Sequence, residues 1–259
     1  MQTTEQPKSP ILSYHGDSTL KARFVGHVEA HREADRVMQG NYGTLVDGKW
    51  RGCAVACSLR SLDEISGVAS TDSMREYGSH SDLAERLGIP LVLARLEDRI
   101  FEGLPIEWAK HWPTRFAKAI PIGADLSLVW PKFALALLTD PEMGVIGFTK
   151  REQAKAAIQG VASLFAARIS GSNPSAAQWR EARKNADAYA ADAYAAYAAA
   201  AYAADAADAA YAAYAAYAYA AAYATAADAY AYAAAAAAAS RQAYYVKMAD
   251  KLIQILEEA

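Results

Sequence analysis

An all-α fold follows from three features of the sequence. First, apolar residues recur at helical spacing, and no stretch alternates apolar and polar residues as a half-buried strand does. Second, glycines and prolines fall where helices start and stop. Third, residues 186–239 contain only Ala, Tyr, Asp and Thr225, with 37 Ala, 11 Tyr and 5 Asp. Alanine loses no side-chain rotamer freedom in a helix, so this tract favours helix throughout. The expected architecture is an N-terminal multi-helix globular domain, residues 1–170, packed with a C-terminal Ala/Tyr-rich helical bundle, residues 171–259. The boundary is set by the turn-forming cluster Ser170-Gly-Ser-Asn-Pro-Ser175.

Residues 1–13 are polar with two prolines and read as an arm. Asp17-Ser18 caps a helix expected to run to Gln39 and stop at Gly40. Asn41–Arg51 is a glycine-rich loop, with Asp47-Gly48 as the one place for a small hairpin. A short helix follows from Cys53 to about Leu62, and Ile65–Ser79 reads as a loop rich in Ser, Gly, Thr and Asp. Ser81–Leu87 is helical and closed by Gly88. Pro90 opens the next helix, which stops at Gly103. Pro105, Pro113, Pro121 and Pro131 divide the following stretch into short helices, and Thr149 with Glu152 forms the pattern of a capping box opening a helix to about Ile169.

The tyrosines of the Ala/Tyr tract lie on more than one helical face, as in a helix contacted from several sides. A single rod that long would bury too little apolar area to be stable alone. The tract is therefore expected to fold into two or three antiparallel helices or to pack against copies of itself, giving a homo-oligomer. Ala and Tyr insert poorly into lipid and the tract has no flanking bases, so no membrane span is expected.

Composition narrows the function classes. Formal net charge is −3 over 259 residues, which argues against nucleic-acid binding. Two cysteines, Cys53 and Cys57, cannot build a disulfide framework and suit a reducing compartment. The N-terminus lacks the charged and apolar regions of a signal peptide, so a cytoplasmic protein is expected. No phosphate loop, nucleophile elbow or complete metal signature occurs.

The chemistry-bearing residues concentrate in the first hundred. On the first helix His27, His31 and Asp35 share the face of Leu20, Phe24, Val28 and Met38, which should be buried. Burying such groups without partners costs a few kcal/mol each, so a network, a metal or a ligand must compensate. Glu97 lies on the inward face of its helix among Leu93, Ile100 and Phe101, with Asp98 nearer the edge. A pocket lined by His27, His31, Asp35 and Glu97 is expected where the two helices face each other. His15 before the first helix and His80 beside the preceding short helix are further ligand candidates. Cys53 sits near a helix N-terminus, where the dipole lowers a thiol pKa. Three uses of this pocket compete: a structural network, a site for a polar small molecule, and a metal site on His27, His31 and Asp35. The last lacks the Glu of the zinc-protease helix.

Several motifs resemble a family of uncharacterised bacterial and phage proteins. They are Tyr14-His-Gly with Lys21, His31-Arg-Glu-Ala-Asp35, Gln39-Gly40, Arg51-Gly-Cys-Ala-Val-Ala-Cys57, Leu87-Gly-Ile-Pro90, Leu93-Ala-Arg-Leu-Glu-Asp98, Ile100-Phe-Glu-Gly103, Gly123-Ala-Asp125 and the tail Met248–Ile253. The tail also resembles Ala-rich helical immunity-type modules. The sequence departs from the family at Ala56, where Gly is usual, and in the long Ile65–Ser79 segment. The resemblance implies a role in host–phage conflict, by binding a defence protein or sequestering a nucleotide signal. The expected function is thus a non-enzymatic helical protein that binds a small polar ligand or a partner. The alternatives are a hydrolase-like enzyme using His27, His31, Asp35 and Glu97, with or without a metal, and a purely structural self-associating protein.

Overall fold

A computed structural model describes residues 12–68, 80–190 and 237–259. Ten α-helices and one two-stranded hairpin make up these residues, so the fold is all-α apart from the hairpin. The expected breaks in the Ala/Tyr tract, and self-association through it, fall within 191–236 and so outside the described residues.

The chain enters through a tight left-handed turn, Ser13–Gly16, in which Tyr14 and His15 have φ of 50° and 52°. Non-glycine residues adopt this conformation only where the surroundings hold them there. Here the Tyr14 hydroxyl donates to the Ala117 carbonyl at 2.7 Å, the Ala124 N–H donates to Ser13 Oγ at 2.9 Å, and His15 Nε2 meets the Glu85 carbonyl at 2.9 Å.

Helix α1 (Ser18–Glu33) begins as expected, with Asp17 Oδ1 accepting from the Thr19 and Leu20 N–H groups. It ends six residues before Gln39. The Arg36 N–H bonds to the His31 carbonyl and the Asp35 N–H to the Arg32 carbonyl, with Asp35 at φ 53°. This is a Schellman closure with aspartate in the left-handed position usually held by glycine. Asp35 is therefore off the helix.

Strands β1 (Gly43–Val46) and β2 (Lys49–Gly52) pair antiparallel around Asp47-Gly48, both residues at positive φ. That is the two-residue hairpin turn whose twist matches its strands. Gly52 then exchanges hydrogen bonds with Arg36 and Met38, tying the hairpin to the chain leaving α1.

Helix α2 (Ala54–Ile65) has Cys53 as its N-cap. Helices α3 (His80–Leu87) and α4 (Leu91–Gly103) follow, with Pro90 as N-cap of α4 rather than its first residue. Then come α5 (Ile106–Ala109), α6 (Trp112–Ala119), α7 (Val129–Thr139), α8 (Glu152–Ile169), α9 (Ala176–Ala190) and α10 (Ala237–Glu257). The Thr149/Glu152 pattern does not close into a capping box, because Arg151 takes the N-cap position and Thr149 Oγ1 accepts from its N–H. A reciprocal box forms instead at α9: Ser175 Oγ accepts from the Gln178 N–H, and Gln178 Oε1 from the Ser175 N–H.

Residues on both sides of position 170 join one contiguous apolar cluster that runs from Tyr14 to Leu256. Trp130 meets Phe165 edge-on, and Phe165 meets Trp179 of α9 at 4.9 Å between ring centroids. Helix α10 packs on α4, α6 and α7. Tyr245 is wholly buried there, and Tyr244 donates to the Met143 carbonyl at 3.0 Å. At the other end α1, α3 and α4 surround α2. Among the described residues, no helix is long and apolar enough to cross a membrane.

Candidate functional site

Helix α4 carries three carboxyl groups near the N-terminal end of α2. Asp98 and Glu102 are four residues apart, so they share one face of α4. Glu97 lies round the helix, toward the core. Cys53 caps α2 opposite them. One ligand atom each from Cys53, Asp98 and Glu102 lie within 4.8 Å of one another, and among the described residues this is the one such group of metal-binding side chains.

Each carboxylate is held from outside. His80 Nε2, at the start of α3, lies 3.1 Å from Asp98 Oδ2. The Gly40 N–H donates to Glu102 Oε2 at 2.8 Å. The loop bearing Gly40 is itself pinned to the end of α4, since the Gln39 amide donates to the Phe101 and Leu104 carbonyls. The Cys53 thiol is buried, whereas the Asp98 side chain keeps 22 % of its surface and His80 31 %, so the cluster reaches solvent on one side.

The electrostatics are those of crowded negative charge. Burial, reinforced by Asp98 and Glu97, pushes the Cys53 thiol far up, although the Ala56 N–H favours its thiolate. Desolvation and neighbouring acids thus outweigh the helix terminus at Cys53. Glu97 is 1 % exposed, and neither carboxylate oxygen has a hydrogen-bond partner. Burial, with Asp98 and Glu102 adding repulsion, raises its pKa well above the usual carboxylate range and so favours the neutral acid. Glu102 is raised too, by burial first and Asp98 among the rest, against the Gly40 N–H. Cys57 stands apart: its thiol points at the Gly52 and Arg36 carbonyls and is pushed up to about 12, chiefly by burial and then by Glu97.

The histidines of α1 meet a different acid. His27 Nδ1 lies 3.0 Å from Glu64 Oε2 on α2, and His31 Nε2 lies 3.9 Å from the same oxygen. Arg60 approaches Glu64 at 3.4 Å and stacks 4.7 Å from the Trp50 ring centroid, while Trp50 meets His31 edge to face. His31 is 2 % exposed and neither ring nitrogen is hydrogen-bonded. Its pKa is lowered to about 4, by burial first, against the pull of Glu64.

The expected quartet is thus divided. His31 is buried and His27 half-buried, and their acid is Glu64, not Glu97. Asp35 is 59 % exposed at its side chain, 2.8 Å from Arg51 and 3.9 Å from Lys110. The metal set His27, His31 and Asp35 does not assemble, because the Schellman closure removes Asp35 from the helical face. His15 staples the N-terminal turn to α3. Cys53 meets Asp98 and Glu102, and His80 joins them through Asp98, while Glu97 lies buried on the core side of α4. The i,i+4 pair on α4 was the signal for Asp98 and Glu102. Glu64 had none, since its partner face depends on how α1 packs on α2.

No family model, curated protein or solved structure matches this chain.

Proposed function

We propose that this chain is a non-enzymatic binding protein that takes a small cation between α2 and α4. The observation carrying this reading is the approach of Cys53, Asp98 and Glu102 to within 4.8 Å. Like charges gathered so closely oppose one another's ionisation, and a bound cation reverses that cost. A nucleotide signal suits this cluster poorly. Phosphate is recognised by Arg, Lys and convergent N–H groups, and here the Gly40 N–H is already given to Glu102. Burial and the neighbouring acids hold the Cys53 thiol up, so it lends no support to nucleophilic catalysis.

A thermal-shift screen of divalent cations, organic ammonium and guanidinium compounds, and nucleotides tests the reading, because a ligand of the folded state raises its melting temperature. A cation should raise Tm in the wild type and not in a D98N/E102Q double variant. Stabilisation by nucleotides alone, or by nothing in the screen, overturns it.

A further inference from the structure

We propose that the cation is a transition-metal dication of zinc-like softness, held directly by Cys53 Sγ, Asp98 and Glu102. The inference deepens the cation-binding reading and rests on it.

The donor set makes the choice. A thiolate beside two carboxylates suits a borderline-soft ion, whereas calcium and magnesium require six or more oxygens or retained water. In a tetrahedral site with about 2.3 Å to sulfur and about 2.0 Å to oxygen, donors stand roughly 3.5 Å apart. Three donors already within 4.8 Å close on such an ion by side-chain adjustment alone. Each carboxylate is also oriented from behind, Asp98 by His80 and Glu102 by the Gly40 N–H. Outer partners of this kind fix ligand geometry at metal centres.

Glu97, next to Asp98 in the chain, is a carboxyl group 1 % exposed, and neither of its oxygens has a hydrogen-bond partner. A buried polar group of this kind calls for an explanation. A dication on the neighbouring Asp98 and Glu102 would let it ionise at lower cost.

The binding step balances simply. The Cys53 S–H bond breaks, a metal–sulfur bond forms, and the proton leaves to solvent; no electron is transferred. Three protein donors leave the fourth tetrahedral position to water. Affinity should therefore rise with pH.

The test is a titration of the full-length protein with Co2+, followed in the near-ultraviolet for thiolate-to-cobalt charge transfer. One equivalent should bring up the band, and Zn2+ should bleach it. C57S should keep the band, because its thiol faces the Gly52 and Arg36 carbonyls. C53S should abolish it with unchanged circular dichroism, and E102Q, at a partly exposed position, should weaken Co2+ binding at least tenfold. A band that survives C53S, or no band at all, overturns the inference. If no band forms but an organic cation or Mg2+ still raises Tm in a manner abolished by D98N/E102Q, the cation reading stands and only the metal assignment falls. If no cation acts at all, both fall.

Discussion

Nε2 of His80 lies 3.1 Å from Oδ2 of Asp98, and Asp98 is also one of the two carboxylates grouped with Cys53. The imidazole thus opens α3 and steers a carboxylate on α4. In the proposed cation site it is a positioning residue rather than a ligand. Replacing it with leucine should leave Asp98 free to rotate and weaken cation binding about 10–100-fold, as outer-shell losses do. H80Q, which still donates a hydrogen bond, should recover much of that affinity. Isothermal titration of the three proteins decides it; equal affinities for H80L and wild type would assign His80 no part in the site.

Glu97 sets stability against binding. Its folded pKa is raised, so between the unfolded value near 4.5 and the folded one the native state holds a proton that the unfolded state has lost. Its contribution therefore worsens as pH rises through that range, and below pH 4.5 it vanishes. E97M, unbranched and apolar, should stabilise the cation-free protein by about 1–3 kcal/mol at neutral pH, more as pH increases and least in acid. The same variant should bind the cation more weakly, because it removes a carboxyl group that a nearby dication would help to ionise. Denaturant melts at several pH values measure the first effect, and a variant no more stable than wild type at pH 8 would contradict it.

His31 gives the opposite slope. Its pKa is lowered from 6.5 to about 4, chiefly by burial against Trp50 and the α2 face. Between those values the unfolded state takes up a proton that the native state refuses. Stability is thus lost as pH falls from about 6.5 to 4, by roughly 3 kcal/mol from this residue alone. H31L should flatten that part of the stability profile, whatever it does to stability at pH 7. An unchanged slope in H31L would assign the acid sensitivity elsewhere.

The helices, their order and most of their ends were legible because local signals place them. Asp17 caps, Gly88 stops, and Asp47-Gly48 turns the hairpin. The site was only half legible. Helical spacing put His27, His31 and Glu97 on inward faces; His31 and Glu97 are buried, while His27 keeps 34 % of its side-chain surface. It said nothing about which inward faces meet, so Glu97 was paired with the wrong helix and Glu64 went unseen. Asp35 failed for a different reason. Aspartate tolerates the left-handed conformation well enough to close a helix, and a periodicity argument carries the helix straight through it. Thr149 and Glu152 have the letters of a capping box, yet α8 takes Arg151 as its N-cap, two residues beyond Thr149.

Gly103 shows the same limit and yields a sharp prediction. At the end of a helical pattern it reads as a left-handed stop, but it has no positive φ and lies within α4. Its reason is contact: the Tyr245 ring of α10 lies against its Cα, and any Cβ there would overlap the ring carbons. Tyr245 is wholly buried and flanked by the Arg99 and Arg241 guanidinium groups, each 5.9 Å from its centroid, so it has little room to yield. G103A should therefore push α10 off α4 and cost about 3 kcal/mol, although alanine is the better helix former. Hydrogen exchange should quicken through residues 241–257 while α1 and the hairpin keep their protection. The double variant G103A/Y245A should recover little of the lost stability, because it exchanges the clash for a cavity. A G103A protein as stable as wild type would mean that α10 does not sit on this face of α4.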